Sequence, residues 1–352
     1  MQTPNRLYFL DNLRAFVIIL VVVLHGSMTY MAYAPTWWYV LDPNNSPIFT
    51  QLVLLLDVPI MPILFFLSGY FALRSLQKRG SKLFLKDKFI RIGIPWIFGA
   101  LILAPLITYM IYFSRGVPMS FLEFWRTDFW SKLYQQSVYW FLGVLLLLFV
   151  ILTWVYEWGD RLRGPQRIVR PSGKVFAAFI ALMTAGFLII SLSFGPDAWW
   201  HNYFLVYQPV RVPLYVGYFV LGIYADRHGW FTAFGYKPEL GPWGWSCMLS
   251  GLAYLAYRWG VANTPETTLP VKVGTALLFN TFCCTALIAA VALFQLKVNS
   301  ANAVWSSLAA NSYGIYYIHP LILYPLAYVF VGFSLPLIVK APTLIVLALL
   351  SS

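Results

Sequence analysis

Residues 10–25 read LDNLRAFVIILVVVLH, an unbroken apolar run that nevertheless carries Asp11, Arg14 and His25. What surrounds the stretch decides how to read it. The chain has 352 residues, of which 60% are hydrophobic and only 10% charged, against a charged fraction of about 25% in soluble domains. With a mean hydropathy of +0.71, the sequence is that of a polytopic membrane protein. Fifteen Trp and 23 Tyr fit it, because amphipathic rings settle at both membrane interfaces.

A hydrocarbon core of roughly 30 Å needs about 20 apolar residues to cross it as helix. Along the chain this requirement selects 10–31, 49–73, 91–113, 138–157, 174–195, 209–225, 243–260, 273–295, 311–332 and 335–350. The expected fold is therefore an all-α bundle of about ten transmembrane helices, one membrane-embedded unit over 1–352. The last span is the weakest, being short and ending at Ser351-Ser352 without a polar tail. The first is not expected to be a cleaved leader, since charges interrupt it and no small-residue cleavage site follows.

Orientation follows from Lys and Arg in the short loops. Segment 74–91 (RSLQKRGSKLFLKDKFIR) holds seven and 161–174 (RLRGPQRIVRPSGK) holds five, whereas 32–48 and 196–208 hold none. Loops 114–137 and 258–272 carry a few, balanced by Glu123, Asp128 and Glu266. The basic loops are thus expected in the cytoplasm and, with an even number of spans, both termini as well. The net charge of +12 reads as a topology signal and an attraction to anionic headgroups. A cluster this dense could also hold a phosphorylated ligand. Nothing in the composition points to nucleic acid. Cys247, Cys283 and Cys284 lack metal-ligand spacing and read as packing residues, so neither a metal site nor a disulfide framework is expected.

Ionisable groups inside a bilayer are costly and usually face a bundle interior or a wet cavity. Here they are Asp11, Arg14, His25, Asp57, Arg211, His319 and Lys340, with Lys88 and Arg91 at a helix entrance. Arg14 and His25 are eleven residues apart, about three turns plus 20°, so both project from one face some 16 Å apart. A substrate or cavity would have to connect them. Asp11 and Arg14 form an i, i+3 pair at the helix start, where the dipole favours the carboxylate. His25 lies deeper, where an imidazole suits proton abstraction from a hydroxyl. The structural alternative is a histidine bonded to a carbonyl of a neighbouring helix.

Arg14-x10-His25, with Asp11 three residues earlier, resembles the first-helix signature of the acyltransferase family 3 membrane proteins. FFLSGYF at 65–71, KFIRIGIPW at 88–96 and NSYGIYYIHP at 311–320 resemble further family segments in the same order. The resemblance covers nearly the whole chain. It implies that His25 is the catalytic base or acyl-transfer residue and that Arg14 holds the constellation or a negative group of the donor. It also implies that Lys88 and Arg91 meet the phosphates of a cytosolic acyl-CoA, acetyl-CoA or succinyl-CoA, which acts as donor substrate with no bound cofactor. Fixed cations at a cytoplasmic mouth suit phosphate, and a thin pantetheine arm could carry the acyl group inward.

The departures are informative. Lys88 stands where the family commonly has Arg, keeping the charge without the bidentate fork. SVYWFLGVLL at 137–146 has no Glu where many members carry one. YFLDNLRAF, RIGIP and WFL look more like the branch that includes glucan biosynthesis protein C, a succinyltransferase for periplasmic glucans. That branch has a His shortly before WFL, whereas this chain offers Val138 and Tyr139. A fused extracytoplasmic hydrolase-like domain is not expected.

Other residues carry weaker signals. His319 precedes Pro320, which frees a carbonyl that the imidazole or a water could satisfy. Ser68, beside Gly69, suits close helix approach or a substrate hydrogen bond. Arg14, Tyr313 and Ser68 are the oxyanion candidates. Arg211 lies beside WWHNYF at 199–204, which with Trp37, Trp38 and Tyr39 reads as interfacial anchoring or a sugar-stacking rim. Lys340 is expected to snorkel or to contact a neighbouring helix. Asp57, before Pro59 and Pro62, suggests a kinked cavity-lining helix. Two readings follow. One is an O-acyltransferase of the plasma (inner) membrane, acting on a glucan or other cell-surface carbohydrate. The alternative is a transporter or flippase, which would use the same buried charges and proline-broken helices.

Overall fold

The computed structural model describes residues 7–159, 162–164, 166–195, 197–261 and 268–352. Arg161 and Glu266, counted above in the loop charges, lie outside the described residues. Helix makes up 75% of the chain, and the one described sheet is a two-stranded ribbon, β1 (Trp200–His201) against β2 (Val206–Tyr207).

A helix stands at each of the ten expected places. The opening span is α1 (Tyr8–Met28), and the second is broken into α2 (Pro47–Asp57) and α3 (Ile60–Arg79). The third is a continuous run of α4 (Ser81–Lys88), α5 (Ile94–Phe98) and α6 (Ala104–Ser114), joined by π-helical turns at Phe89–Gly93 and Gly99–Leu103. Short helices α7 (Phe121–Arg126) and α8 (Asp128–Ser131) lead into α9 (Trp140–Trp158). Then come α10 (Gly173–Ser191), α11 (Val212–Arg227), α12 (Leu240–Gly260), α13 (Leu269–Lys297), α14 (Ala303–Val331) and α15 (Leu337–Ser351).

Among the described residues, seven of these runs are long and apolar enough to cross a membrane. The exceptions are α11, α12 and α15. The 16 residues of α11 and 15 of α15 reach only about 24 Å, and α12 has the length but carries Ser, Gly and Arg258 among its apolar residues. The expectation of about ten spans therefore reduces to seven that meet the requirement unaided, plus three helices packed into the same bundle.

The prolines explain where the chain bends, and the side chains around them satisfy what the prolines release. A helical proline removes the N–H that would bond the carbonyl four residues earlier. Pro62 thus frees Val58, whose carbonyl accepts from the Cys283 thiol at 3.6 Å. Pro95 frees Arg91, whose carbonyl accepts from the Tyr313 hydroxyl at 3.1 Å. Pro320 frees Tyr316, whose carbonyl accepts from His319 Nδ1 at 2.8 Å.

Two glycines set the closest helix crossing. A Cβ at Gly69 on α3 would lie 2.0 Å from the Phe219 carbonyl oxygen, and one at Gly222 on α11 would lie 2.1 Å from that of Phe66. The backbones of α3 and α11 touch because neither position carries a side chain. Ser68 sits next to this seam, half-buried.

The bundle has two unlike ends. At one, Arg74 pairs with buried Asp226, Gln77 bonds the Leu162 carbonyl, and buried Asn12 bonds the carbonyls of Val298 and Ser300. This end collects the basic segments. At the other, the 29–46 loop, the 114–137 connection and the β-ribbon fold over one another. Arg115 donates to the carbonyls of Thr36 at 2.7 Å and Trp38 at 2.9 Å. Lys340 does not snorkel: it is buried and pairs at 2.6 Å with Asp42, the two side chains each 2% exposed. The two contacts pin the 29–46 loop from both sides.

Candidate active site

The folded aromatic end encloses a cavity of about 1290 Å³. His25, three turns beyond Arg14 on α1, forms part of its wall together with Trp38, Tyr39 and Tyr324. The His25 and Trp38 rings lie 5.5 Å apart, Trp38 and Tyr324 5.6 Å, and Tyr39 and Tyr324 4.3 Å.

Behind His25, outside the cavity lining, stands His319. His25 Nδ1 lies 2.9 Å from His319 Nε2. The far nitrogen of His319, Nδ1, faces the carbonyls of Ile315 at 3.1 Å and Tyr316 at 2.8 Å. Carbonyl oxygens only accept, so in the neutral pair His319 Nδ1 carries its proton and Nε2 offers a lone pair. His25 Nδ1 must then be the donor, which leaves the lone pair of His25 on Nε2. The fold thus fixes which nitrogen of His25 can act as a base. It does so through a carbonyl released by Pro320.

Several polar groups on the same wall have no protein partner among the described residues. They are Trp38 Nε1 and the hydroxyls of Tyr324, Tyr215 and Thr50, all buried and all from cavity-lining residues. Further along it, Arg211 Nη1 donates to Asp57 Oδ1 at 2.9 Å, and its second amino group meets the other carboxylate oxygen. Arg211 is 13% exposed and Asp57 38%. Arg211 is therefore no interfacial anchor: it is half of a bidentate pair closing the end of the broken helix α2.

Among the described residues, Arg14, Asp11, Lys88, Arg91, Ser68 and Tyr313 do not line this cavity. Arg14 is exposed at the opposite end and pairs with Asp11 at 3.5 Å. The Lys88 ammonium lies over the rings of Phe84 at 5.3 Å and Phe149 at 4.6 Å. Arg91, on the π-helical turn, is 71% exposed and meets Asp87 at 2.9 Å, which also meets Arg79 at 3.3 Å. The Tyr313 hydroxyl is committed to Arg91's carbonyl. Three residues named for oxyanion contact are thus placed outside the cavity that His25 lines, and the Trp38 ring lies beside His25 with Tyr324 next to it. Their signal in the sequence was faint, being two aromatics in an aromatic-rich chain. No group of three or more potential metal ligands occurs among the described residues.

Residues 7–352 match the model of the acyltransferase 3 family, described as an acyltransferase domain. Glucans biosynthesis protein C of Escherichia coli K12 is 24% identical over 267 residues, 72% of this chain and 66% of that protein. The protein of the same name from Escherichia coli O81 (strain ED1a) is 23% identical over 266 residues with the same coverage. That of Shigella dysenteriae serotype 1 (strain Sd197) is 24% identical over 267. The chain therefore spans slightly less than two thirds of the length of these relatives. No solved structure matches it. Both the family model and the apolar helices lead to one assignment: the chain belongs to the acyltransferase 3 family and is a multi-pass membrane protein.

Proposed function

We infer that this protein is an O-acyltransferase of the plasma (inner) membrane. It takes an acyl group, acetyl or succinyl, from cytosolic acyl-CoA and places it on a hydroxyl of a glucan or other cell-surface carbohydrate. The observation that carries this reading is the 2.9 Å contact between His25 and His319, which leaves a basic nitrogen on a residue that lines a large aromatic-walled cavity. The name of the relatives, glucans biosynthesis protein C, supports a glucan acceptor.

The acceptor hydroxyl oxygen bonds to the thioester carbonyl carbon while His25 Nε2 takes the hydroxyl proton. As the C–S bond breaks, the thiolate of CoA leaves and receives that proton from His25. His319 holds the His25 ring in the orientation and tautomer this needs, and is a positioning residue.

The donor approaches from the basic end, which lies in the cytoplasm on the positive-inside rule. Arg91 is exposed there, and Lys88 adjoins it one turn earlier. Both meet the phosphates of acyl-CoA, and the pantetheine arm runs inward toward His25. Arg14 and Asp11 stand at the same entrance on α1. His25 on the cavity wall lies roughly 16 Å along α1 from Arg14 at that entrance, a distance that a narrow arm can bridge.

The test is transfer of radiolabelled acetyl or succinyl from acyl-CoA to glucan by purified protein in vesicles. Label on the glucan is expected. Movement of a solute without any acyl transfer would instead indicate a transporter.

A further inference from the structure

The wall of the cavity is a succession of rings. From His25 and Trp38 it continues to Trp37 at 5.9 Å, Trp199 at 6.4 Å, Trp140 at 5.7 Å and Tyr215 at 5.2 Å. Beside Tyr215 it meets the Asp57–Arg211 pair. Trp37 and Trp199 meet at 78°, Trp199 and Trp140 at 77°. Edge-on contact leaves part of each ring face open, and all three tryptophans are partly exposed. An interfacial belt would spread tryptophans around the bundle perimeter. These converge on one cavity from the 29–46 loop, the residue preceding β1 and the start of α9.

The cavity is also larger than one sugar requires. At about 1290 Å³ it exceeds the roughly 300–1,000 Å³ of pockets that enclose a drug-sized ligand. Its far end presents two carboxylates, Asp57 and Asp197, and two guanidiniums, Arg211 and Arg258, so that the charges balance. That chemistry suits an uncharged, hydroxyl-rich chain: sugar C–H faces pack on indole, and sugar hydroxyls bond to the balanced charged groups.

We propose that this wall is an extended glycan cleft, which binds an oligosaccharide of several units. The unit to be acylated lies at His25, and the following units lie on Trp37, Trp199 and Trp140 as far as Asp57–Arg211. The inference rests on the carbohydrate-acceptor reading above and adds that chain length is recognised.

Binding of gluco-oligosaccharides of one, two, four and six units to the purified protein, measured by titration calorimetry without donor, tests it. Affinity is expected to rise at least tenfold from one unit to four. Trp199→Ala should lower four-unit affinity at least fivefold and flatten the dependence on length, and Trp199→Phe should recover part of it. Trp37→Ala, in an exposed loop position, repeats the test with little packing to lose. Equal affinity for one unit and four, or unchanged four-unit binding in both alanine variants, would overturn the cleft and leave the tryptophans as lipid anchors. Because no donor is present, the outcomes separate. Length-dependent binding without acyl transfer would refute the enzymatic reading alone, and transfer without length dependence would refute the cleft alone.

Discussion

His25 Nδ1 and His319 Nε2 meet at 2.9 Å, although 294 residues separate them. Because His319 Nδ1 is occupied by two carbonyls, its other nitrogen can only accept, and the proton on His25 is fixed away from the cavity.

That relationship predicts a positioning phenotype for His319. His319→Ala should lower acyl transfer by about 10²–10⁴-fold, the usual range for losing a well-placed acid–base group. His319→Gln, whose amide oxygen can still accept from His25, should recover part of the loss. Initial rates at saturating donor, with thermal unfolding of each variant alongside, separate positioning from damage to the fold.

Lys340 and Asp42 make the second prediction. Both side chains are 2% exposed, and removing one partner of a buried pair leaves an uncompensated charge, at a cost of about 3–5 kcal/mol. Lys340→Met and Asp42→Leu should each lower the unfolding midpoint markedly. The double variant should be more stable than either, because the charges disappear together. Equal losses in all three would show that the ion pair is not what holds the 29–46 loop to α15.

The α3–α11 seam makes the third. Gly69→Ala would push a methyl to within 2.0 Å of the Phe219 carbonyl oxygen, and the contact involves backbone on both sides, so no side-chain rotation relieves it. We expect a loss of more than about 3 kcal/mol, beyond the 1–3 kcal/mol typical of overpacking. Ser68→Ala, one residue away, should cost little. Yield of monodisperse protein and thermal unfolding read both.

Arg91 makes the fourth. It is 71% exposed and far from the cavity, so Arg91→Ala should raise KM for acyl-CoA by about tenfold, which corresponds to roughly 1.4 kcal/mol, while the KM for glucan stays within twofold. A rise in acceptor KM alone would place the donor phosphates elsewhere.

The architecture was largely legible from apolar length, because a bilayer demands it of every span in the same way. So was the break between α2 and α3, since Pro59 and Pro62 act through their own missing N–H groups. His25 was legible from its depth in α1. Its partner was not: spacing within one helix says nothing of a contact across 294 residues, although the carbonyl released by Pro320 did mark His319 as a residue with a local acceptor to satisfy. Asp57 and Arg211 each stood out as buried charge, but only the folded chain shows that each is the other's partner across 154 residues. Lys340 was misread for the same reason, since the buried Asp42 that holds it sits in a loop that looks solvent-exposed in sequence. Trp38 and Tyr324 gave no separate signal because rings are abundant throughout the chain.

The central claim is that the Nε2 lone pair of His25 takes the proton of the acceptor hydroxyl. Its most direct test is the single-turnover rate of labelled acyl transfer from acyl-CoA to glucan by purified wild type and His25→Gln in vesicles. The account predicts a fall of at least 10²-fold in His25→Gln, with the protein folded and still able to bind acyl-CoA. A folded His25→Gln variant that transfers label at the wild-type rate would contradict it.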